Sequence, residues 1–153
     1  MKRTAYSAAM AMAVILILLP ALWCSGADEV LDSYMDQVSD YRREIISKAS
    51  AVKLAAIASQ SQNRQENLEA RHRGYVPDRV KTESYRAQDS MDTAEKDFEA
   101  VEREITRFKA EVTKYYRGKT PKKLKEGISQ LLSNYYETKT DVYRSVTEMR
   151  RNQ

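Results

Sequence analysis

A run of apolar residues spaced alternately four and three apart constrains this chain more than any other feature. Such spacing places the side chains along one face of an α-helix, as in the seam of a coiled coil. The seam continues more weakly toward the N-terminus, so we predict a helix over residues 79–117, roughly 58 Å long at about 1.5 Å per residue. The seam residues are Ala94, Phe98, Val101, Ile105, Phe108, Val112 and Tyr115, preceded by Val80, Ser84, Ala87 and Met91.

Another helix should follow after a tight turn. Gly118 is the residue type expected just past a helix end, and Thr120 with Pro121 supplies an N-cap and a first-turn proline. The apolar stripe of the helix that follows is wider than a two-helix seam, which indicates two neighbouring helices. Its members are Leu124, Ile128, Leu131, Leu132, Tyr135, Val142, Val146 and Met149.

The segment before these two helices carries a further apolar seam. We predict a helix over residues 28–73, a break at residues 74–77, where the sequence reads GYVP, and a helix cap at Asp78. The seam residues of this first helix are Leu31, Tyr34, Val38, Tyr41, Ile45, Ala49, Val52 and Ala56.

The lengths of the three helices predict how they pack. Folding them antiparallel about the two turns sets small residues of the first helix opposite large residues of the second, as interdigitated layers require. The third helix should end near Met91, so it leaves uncovered residues 59–89, which we call the distal hairpin. We therefore predict an all-α fold, an elongated antiparallel three-helix bundle or coiled coil with a protruding two-helix hairpin. The seams could also be completed between copies, so a homo-oligomer is an alternative.

The N-terminus is typical of an export signal. Two basic residues precede an uncharged apolar run, and Pro20 follows the centre of that run. Small residues at Ser25 and Ala27 fit a signal-peptidase site. We therefore predict a signal peptide over residues 1–27 and a single helical domain over residues 28–153.

Cys24, the only cysteine, supports a different interpretation of the same segment. The stretch ALWCSG resembles a bacterial lipoprotein signal, in which the cysteine is lipidated and becomes the first mature residue. Trp23 departs from that pattern, which has Gly, Ala or Ser there. Retention as a membrane anchor is a third interpretation, because residues 5–24 match the roughly 20 uncharged residues that a span needs.

Basic residues concentrate in the stretch KYYRGKTPKKLK, residues 114–125, which contains no acid. Lysines in the first turn of a helix are electrostatically unfavourable, so local structure does not explain those that follow Pro121. We expect the acidic start of the first helix to neutralise them, the alternative being contact with anionic lipid, glycan or an acidic protein. The lysines that follow Pro121 are Lys122, Lys123 and Lys125, Lys119 in the preceding turn joins them in the possible anionic contact, and the acids are Asp28, Glu29, Asp32, Asp36 and Asp40.

The tip of the distal hairpin, residues 71–81, is also basic, with Asp78 as its single acid. An exposed tyrosine among arginines is typical of interface hot spots, whereas the alternative is a solvated loop. We predict that a protein partner binds this tip through Arg71, Arg73, Tyr75, Arg79 and Lys81.

The residues that catalysis or metal binding would need are scarce. His72 is the lone histidine, and after cleavage no cysteine remains for a zinc, haem or iron–sulfur site. No phosphate loop, nucleophile elbow or triad pattern occurs. We predict a non-enzyme without a cofactor or metal, and export argues against a nucleic-acid partner. The carboxylates of the second helix should form a solvated face rather than a di-metal site: Asp92, Glu95, Asp97, Glu99, Glu102 and Glu104.

Together these patterns predict an exported interaction or scaffold protein of the bacterial cell envelope, periplasmic or secreted, that binds a protein partner through its distal hairpin. Small exported coiled-coil proteins with basic projecting arms are similar in general to the Skp chaperones. A periplasmic holdase-like chaperone is therefore an alternative, although this chain lacks the strand-forming segments through which that family trimerises. If Cys24 is lipidated, a lipoprotein spacer is a further alternative, and membrane contact would then run through the lipid or a retained N-terminal anchor.

Overall fold

The computed structural model describes the backbone of residues 4–151 and the side chains of residues 28–151. Three helices follow one another along the chain, α1 (Thr4–Arg73), α2 (Asp78–Tyr115) and α3 (Lys122–Arg151). The described residues contain no strand. The prediction of an all-α three-helix bundle is confirmed.

The chain divides into two compact units, Met1–Gln37 and Val38–Gln153. The described backbone of the first unit is the N-terminal part of α1, and the second unit holds the rest of α1 with α2 and α3. The predicted helix start near Asp28 is wrong, because α1 begins at Thr4 and runs through Pro20. The alanines, leucines and methionines of this stretch are strong helix formers, and one proline does not end the helix here. The predictions of a signal peptide, a cleavage site, a lipidated Cys24 and a retained anchor concern side chains outside the described residues.

The core of the second unit joins all three helices. Ala49, Val52 and Ala56 from α1 lie in one buried cluster with Ile105, Val101 and Phe98 from α2, as predicted from the small-against-large register. Two aromatic pairs cross helices, with ring centroids 5.4 Å apart for Tyr41 and Phe108 and 5.2 Å apart for Phe98 and Tyr135. From α3 the cluster receives Leu131, Tyr135, Val142 and Val146.

The end of α3 fixes where the three-helix packing stops. The Gln60 side chain donates a hydrogen bond to the backbone oxygen of Met149 at 3.1 Å, and Arg150 pairs with Glu95 at 3.4 Å. The last turn of α3 therefore lies at the level of Met91, as predicted. Only α1 and α2 continue beyond it as the distal hairpin. We call the remainder of the second unit, residues 38–58, 90–115 and 122–151, the three-helix body.

The beginning of α2 differs from the prediction. Pro77, with φ −58° and ψ 142°, occupies the N-cap position, and no side chain caps the helix there. The Pro77 carbonyl accepts a hydrogen bond from the Lys81 amide at 3.2 Å. Asp78 is therefore the first helical residue rather than the cap, because the extended backbone fixed by proline already ends the turn.

The end of α2 is also earlier than predicted. The helix stops at Tyr115, and both Arg117 and Gly118 have left-handed backbones, with φ of 49° and 80°. The Gly118 amide donates to the Thr113 carbonyl at 2.9 Å, closing the six-residue loop typical of a Schellman end. Because the helical register ends here, Tyr115 is 55% exposed, and its predicted place in the seam is wrong. Tyr116 is half-buried instead.

Candidate functional site

The distal hairpin turns at a glycine that its backbone requires. Gly74 has φ of 73°, a left-handed conformation that costs glycine little, and its amide donates to the Ala70 carbonyl at 3.0 Å. Tyr75 follows directly and is 61% exposed. Pro77 is half-buried and occupies the N-cap position of α2. The turn therefore holds one exposed aromatic ring between two helix ends.

Three of the four predicted tip cations already have acidic partners on their own helices. Arg73 pairs with Glu69 at 2.6 Å and Arg79 with Glu83 at 2.9 Å. Lys81 pairs with Asp78 at 3.6 Å. Glu69 and Glu83 lie just outside residues 71–81, the range over which the charge of the tip was counted. Their four-residue spacing from Arg73 and Arg79 could have predicted both ion pairs. The tip is less positive than that count indicated.

Arg71 and His72 complete the tip. Both are exposed, and neither forms an ion pair with the described residues. The tip surface therefore combines one unpaired guanidinium, one exposed phenol and three exposed ion pairs. Exposed pairs contribute only about 0–1 kcal/mol each, so a partner could exchange them at low cost.

Polar side chains form much of the seam beneath the tip. Ser59 donates to Gln88 at 3.2 Å, and Ser84 donates to Asn63 at 3.0 Å. Ser59 is 4% exposed, and Val80, 6% exposed, is the buried apolar residue of this region among those described. Polar pairs set the register of α1 against α2 but contribute little hydrophobic free energy.

A pocket of about 220 Å³ lies where α3 ends and the distal hairpin begins. Its wall mixes apolar groups of the body, such as Met91 and Met149, with the polar seam residues Asn63 and Gln88. Arg150 closes one side. We find no cluster of carboxylates or histidines here, and the described residues contain no group of three or more metal-ligating side chains.

The basic turn between α2 and α3 contrasts with the tip. Its four predicted lysines are exposed, and Lys122 alone among them forms an ion pair, with Glu126 at 3.8 Å, within the described residues of the second unit. Asp40, predicted to neutralise this turn, pairs with Arg43 on its own helix at 3.3 Å. The other predicted acids, Asp28, Glu29, Asp32 and Asp36, belong to the first unit, and their match to the turn stays a prediction.

The carboxylates of α2 have structural partners on α3. Glu102 accepts hydrogen bonds from the Tyr136 hydroxyl at 2.8 Å and from Lys139 at 3.2 Å. Glu99 accepts one from the Tyr143 hydroxyl at 2.7 Å. These acids were expected to lie beside the seam, but their contacts with tyrosines were not predicted. The seven-residue spacing of Tyr136 and Tyr143 places both side chains on one flank of the apolar stripe of α3, and this spacing could have indicated the contacts.

These contacts between carboxylates of α2 and side chains of α3, which we call the tyrosine–carboxylate ladder, shift the pKa values of the residues involved. The hydrogen bond from Tyr136 holds the pKa of Glu102 below its ordinary value of 4.5, despite the opposing effect of partial burial. Burial and the bond to Glu99 raise the pKa of Tyr143 to about 12. Burial, with the negative charge of Glu102, also raises the pKa of Tyr135. These shifts keep the carboxylate charged and the phenols neutral at pH 7, which suits a structural network.

No family model matches the chain, and no curated protein or solved structure is detectably similar to it. Within residues 28–151, whose side chains the structure describes, no helical stretch is long and apolar enough to span a membrane.

Proposed function

We propose that this chain is an exported, non-enzymatic interaction module of a bacterial cell envelope that binds a protein partner through the tip of its distal hairpin. The observation that carries the proposal is the exposed Tyr75 on its glycine-set turn, flanked by Arg71 and the exchangeable pairs of Arg73 and Arg79. Tyrosine and arginine are the side chains that most often dominate binding energy at interfaces.

The polar seam of the hairpin suits such a role. A two-helix segment with one buried valine and two serine–amide pairs gains little stability from its own packing, so it can adjust its conformation at modest cost. A partner that covers the tip would supply the burial that the hairpin lacks. The body, with its aromatic and aliphatic core, would act as the rigid base.

Site-specific photo-crosslinking tests the proposal. A benzoylphenylalanine at Tyr75 should give a discrete adduct in intact cells of the source organism, and Arg71→Ala with Arg79→Ala should abolish it. Tyr85, 76% exposed in the same hairpin, is the matched control position and should give no adduct. Identical adducts at both positions, or an adduct at Tyr75 indifferent to the arginines, would remove the tip from the mechanism.

Export has its own test. Mass spectrometry of the mature N-terminus distinguishes cleavage near Asp28 from a lipidated Cys24, which would make the protein a lipoprotein spacer. An unprocessed N-terminus starting at Met1 in a soluble cytoplasmic fraction would contradict export.

A holdase-like chaperone is the second candidate, favoured by four exposed aliphatic residues on α1. At about 100° per residue they fall within an arc of roughly 80°, so they form one stripe on the outer face of the helix. Exposed apolar stripes are a feature of proteins that bind unfolded clients. The residues are Ile46, Leu54, Ile57 and Leu68, exposed by 67%, 67%, 51% and 55%.

Suppression of the aggregation of an unfolded client separates the two candidates. If the chaperone interpretation is correct, replacing Ile46, Leu54 and Ile57 by serine abolishes suppression, whereas replacing Arg71, Tyr75 and Arg79 by alanine leaves it intact. Light scattering adds a second criterion, because a stable trimer favours the chaperone and a monomer or dimer favours the interaction module.

A further inference from the structure

Positive charge is segregated to one of the two turns of the second unit. Residues 109–125 contain seven lysines and arginines and a single acid, Glu111. Residues 69–83 at the tip contain four lysines and arginines and three acids. Each acid of the tip is engaged by a cation, as described above. Within residues 109–125 Glu111 is the single acid, so most of these cations need partners from outside the turn.

Six of these seven cations make no ion pair with the described residues of the second unit. The exception is Lys122, which pairs with Glu126 at 3.8 Å. Lys109, Lys114 and Arg117 are exposed and lack such a partner, as do Lys119, Lys123 and Lys125.

Local structure favours Lys114, in the last turn of α2, but not the lysines that begin α3. The first turn of α3 contains two adjacent lysines and no acid, an arrangement that the helix dipole disfavours. Arg117 has a left-handed backbone, where glycine would be relaxed and a longer side chain is strained. The lysines in the first turn of α3 are therefore not explained by the local folding of that helix.

A pocket of about 260 Å³ lies at the centre of the charged turn, between the last turns of α2 and the first turns of α3. Lys109 and Lys125 line it together with the hydroxyl-bearing Thr120, over a floor formed by the buried Val112 and Ile128. Thr113 and Ser129 also line it, but their hydroxyls already donate to helix carbonyls, so the lysines are its principal donors. An open pocket of this size, lined by two lysines, has room for a phosphate group.

We propose that the α2–α3 turn binds the surface of an anionic phospholipid bilayer, with one lipid phosphate entering the pocket between Lys109 and Lys125. Clusters of about four to eight basic residues are attracted to anionic lipid, each adding to the binding. Tyr115, 55% exposed beside the cluster, is amphipathic in the way that side chains at a bilayer interface are. The cations are spread over two helix ends and a loop, which matches a diffuse negative surface better than a defined acidic peptide. This inference does not depend on the tip.

Vesicle co-sedimentation of the full chain tests the proposal, comparing phosphatidylcholine alone with phosphatidylcholine containing about 30 mol % phosphatidylglycerol. The apolar N-terminal run could bind either vesicle, so the measured quantity is the ratio of the two partition coefficients. We expect a ratio of at least about tenfold at low salt that disappears at about 0.5 M NaCl, where the screening length is a few ångström.

Two variants that each lose four positive charges supply the control. The turn variant replaces Lys119, Lys122, Lys123 and Lys125 by glutamine, and the tip variant replaces Arg71, Arg73, Arg79 and Lys81 in the same way. The turn variant should lose most of the tenfold preference, and the tip variant should keep it within about twofold. Lys109→Gln tests the pocket against Lys96→Gln, an exposed lysine elsewhere on α2, and only the former should weaken binding.

Several results would overturn the proposal. Equal losses in both fourfold variants would mean that net charge alone drives binding, and no preference for anionic vesicles would exclude the surface. Selective displacement by inorganic phosphate, beyond the effect of chloride at equal ionic strength, would indicate a free-anion pocket. Stronger competition by polyglutamate than by vesicles would indicate an acidic protein. Thermal unfolding of the turn variant at or above the wild-type midpoint supports the proposal, whereas a lowered midpoint with retained vesicle binding would assign the lysines to an internal match.

Discussion

The three-helix body and the distal hairpin bury different kinds of side chain. The body encloses Phe98, Ile105, Leu131 and Tyr135, each at most 1% exposed, between three helices. The hairpin has two helices and joins them through Val80 and two serine–amide hydrogen bonds. Because hydrophobic stabilisation follows the apolar area removed from water, the body should provide nearly all of the stability of the second unit. The hairpin should open locally at a much lower free energy.

This contrast in packing indicates where the chain can accommodate a partner. A region whose own packing is weak can change shape, or gain order, when another surface covers it. The body has no such freedom, since its side chains interlock from all three helices. The hairpin therefore suits the adaptable binding that we propose for it, and the turn between α2 and α3 suits the proposed contact with a charged surface.

The largest expected effect is a truncation in the centre of the body. Ile105→Ala should lower the free energy of unfolding by about 2–5 kcal/mol, because Ile105 is fully buried and the cavity left behind cannot be filled. Urea denaturation followed by circular dichroism measures it. Ile57→Ala, at a position 51% exposed on α1, is the matched control and should cost less than about 1 kcal/mol. Equal effects of the two variants would contradict the assignment of the core.

A matched pair of valines compares the two regions directly. Val101 and Val80 are 1% and 6% exposed, in the body and in the hairpin. Val101→Ala should lower the global free energy of unfolding by roughly 1.5–3 kcal/mol, from two lost methyl groups and their cavity. Val80→Ala should leave global unfolding nearly unchanged and instead accelerate amide hydrogen exchange within residues 59–89. A global loss as large for Val80→Ala would show that hairpin and body unfold as one unit.

Loss of the Glu102 carboxylate should have an intermediate, pH-dependent effect. Glu102→Gln should cost about 1–2 kcal/mol at pH 7, because hydrogen bonds from Tyr136 and Lys139 to a charged acceptor are weakened. The pKa of Glu102 is lowered in the folded state, so its contribution is complete above the ordinary value of 4.5 and is lost as the pH falls through the folded pKa. The variant and the wild type should therefore converge in acid.

Unfolding curves at pH 7 and at pH 3 measure the effect of Glu102→Gln. Glu104→Gln is the control on the same helix, since the exposed Glu104 makes no hydrogen bond or ion pair with the described residues. A difference between wild type and Glu102→Gln that stays constant with pH would refute the contribution of the charge.

The smallest effect should come from the tip. Arg79→Gln removes the exposed pair with Glu83 and should leave the free energy of unfolding nearly unchanged. The same substitution should weaken partner binding if the tip is the contact surface, so stability and binding must be measured on one preparation. A clear loss of stability would give the arginine a structural role and would indicate a more rigid hairpin.

Much of the fold could be predicted from residue spacing. The heptad seam of α2 identified Phe98, Val101, Ile105, Phe108 and Val112 as buried residues, and Gly118 marked the end of that helix. These features are local, since they depend on the helical period and on the backbone freedom of glycine. The errors lie at helix ends. Asp78, Tyr115 and the start of α1 were misplaced because neighbouring prolines, left-handed residues and helix-forming runs shift an end without changing the apolar pattern.

The candidate site was predicted less completely. Tyr75 is exposed on its turn as expected, but pairing of the tip cations by Glu69 and Glu83 was missed, although both acids lie four residues from an arginine. The tyrosine–carboxylate ladder was missed for a different reason. A bond between Tyr143 and Glu99 joins positions far apart in sequence, and only the register between α2 and α3 brings them together.

Residue spacing alone was sufficient to predict the three helices, the positions of the two turns and the apolar faces. Each of these features follows from interactions between residues a few positions apart. Which charges find partners depends on how the helices pack. Packing pairs Glu99 and Glu102 of α2 with side chains of α3, whereas Lys119, Lys123 and Lys125 make no ion pair with the described residues of the second unit. Ion pairs and hydrogen bonds act over a few ångström, and the relative register of separate helices sets such distances.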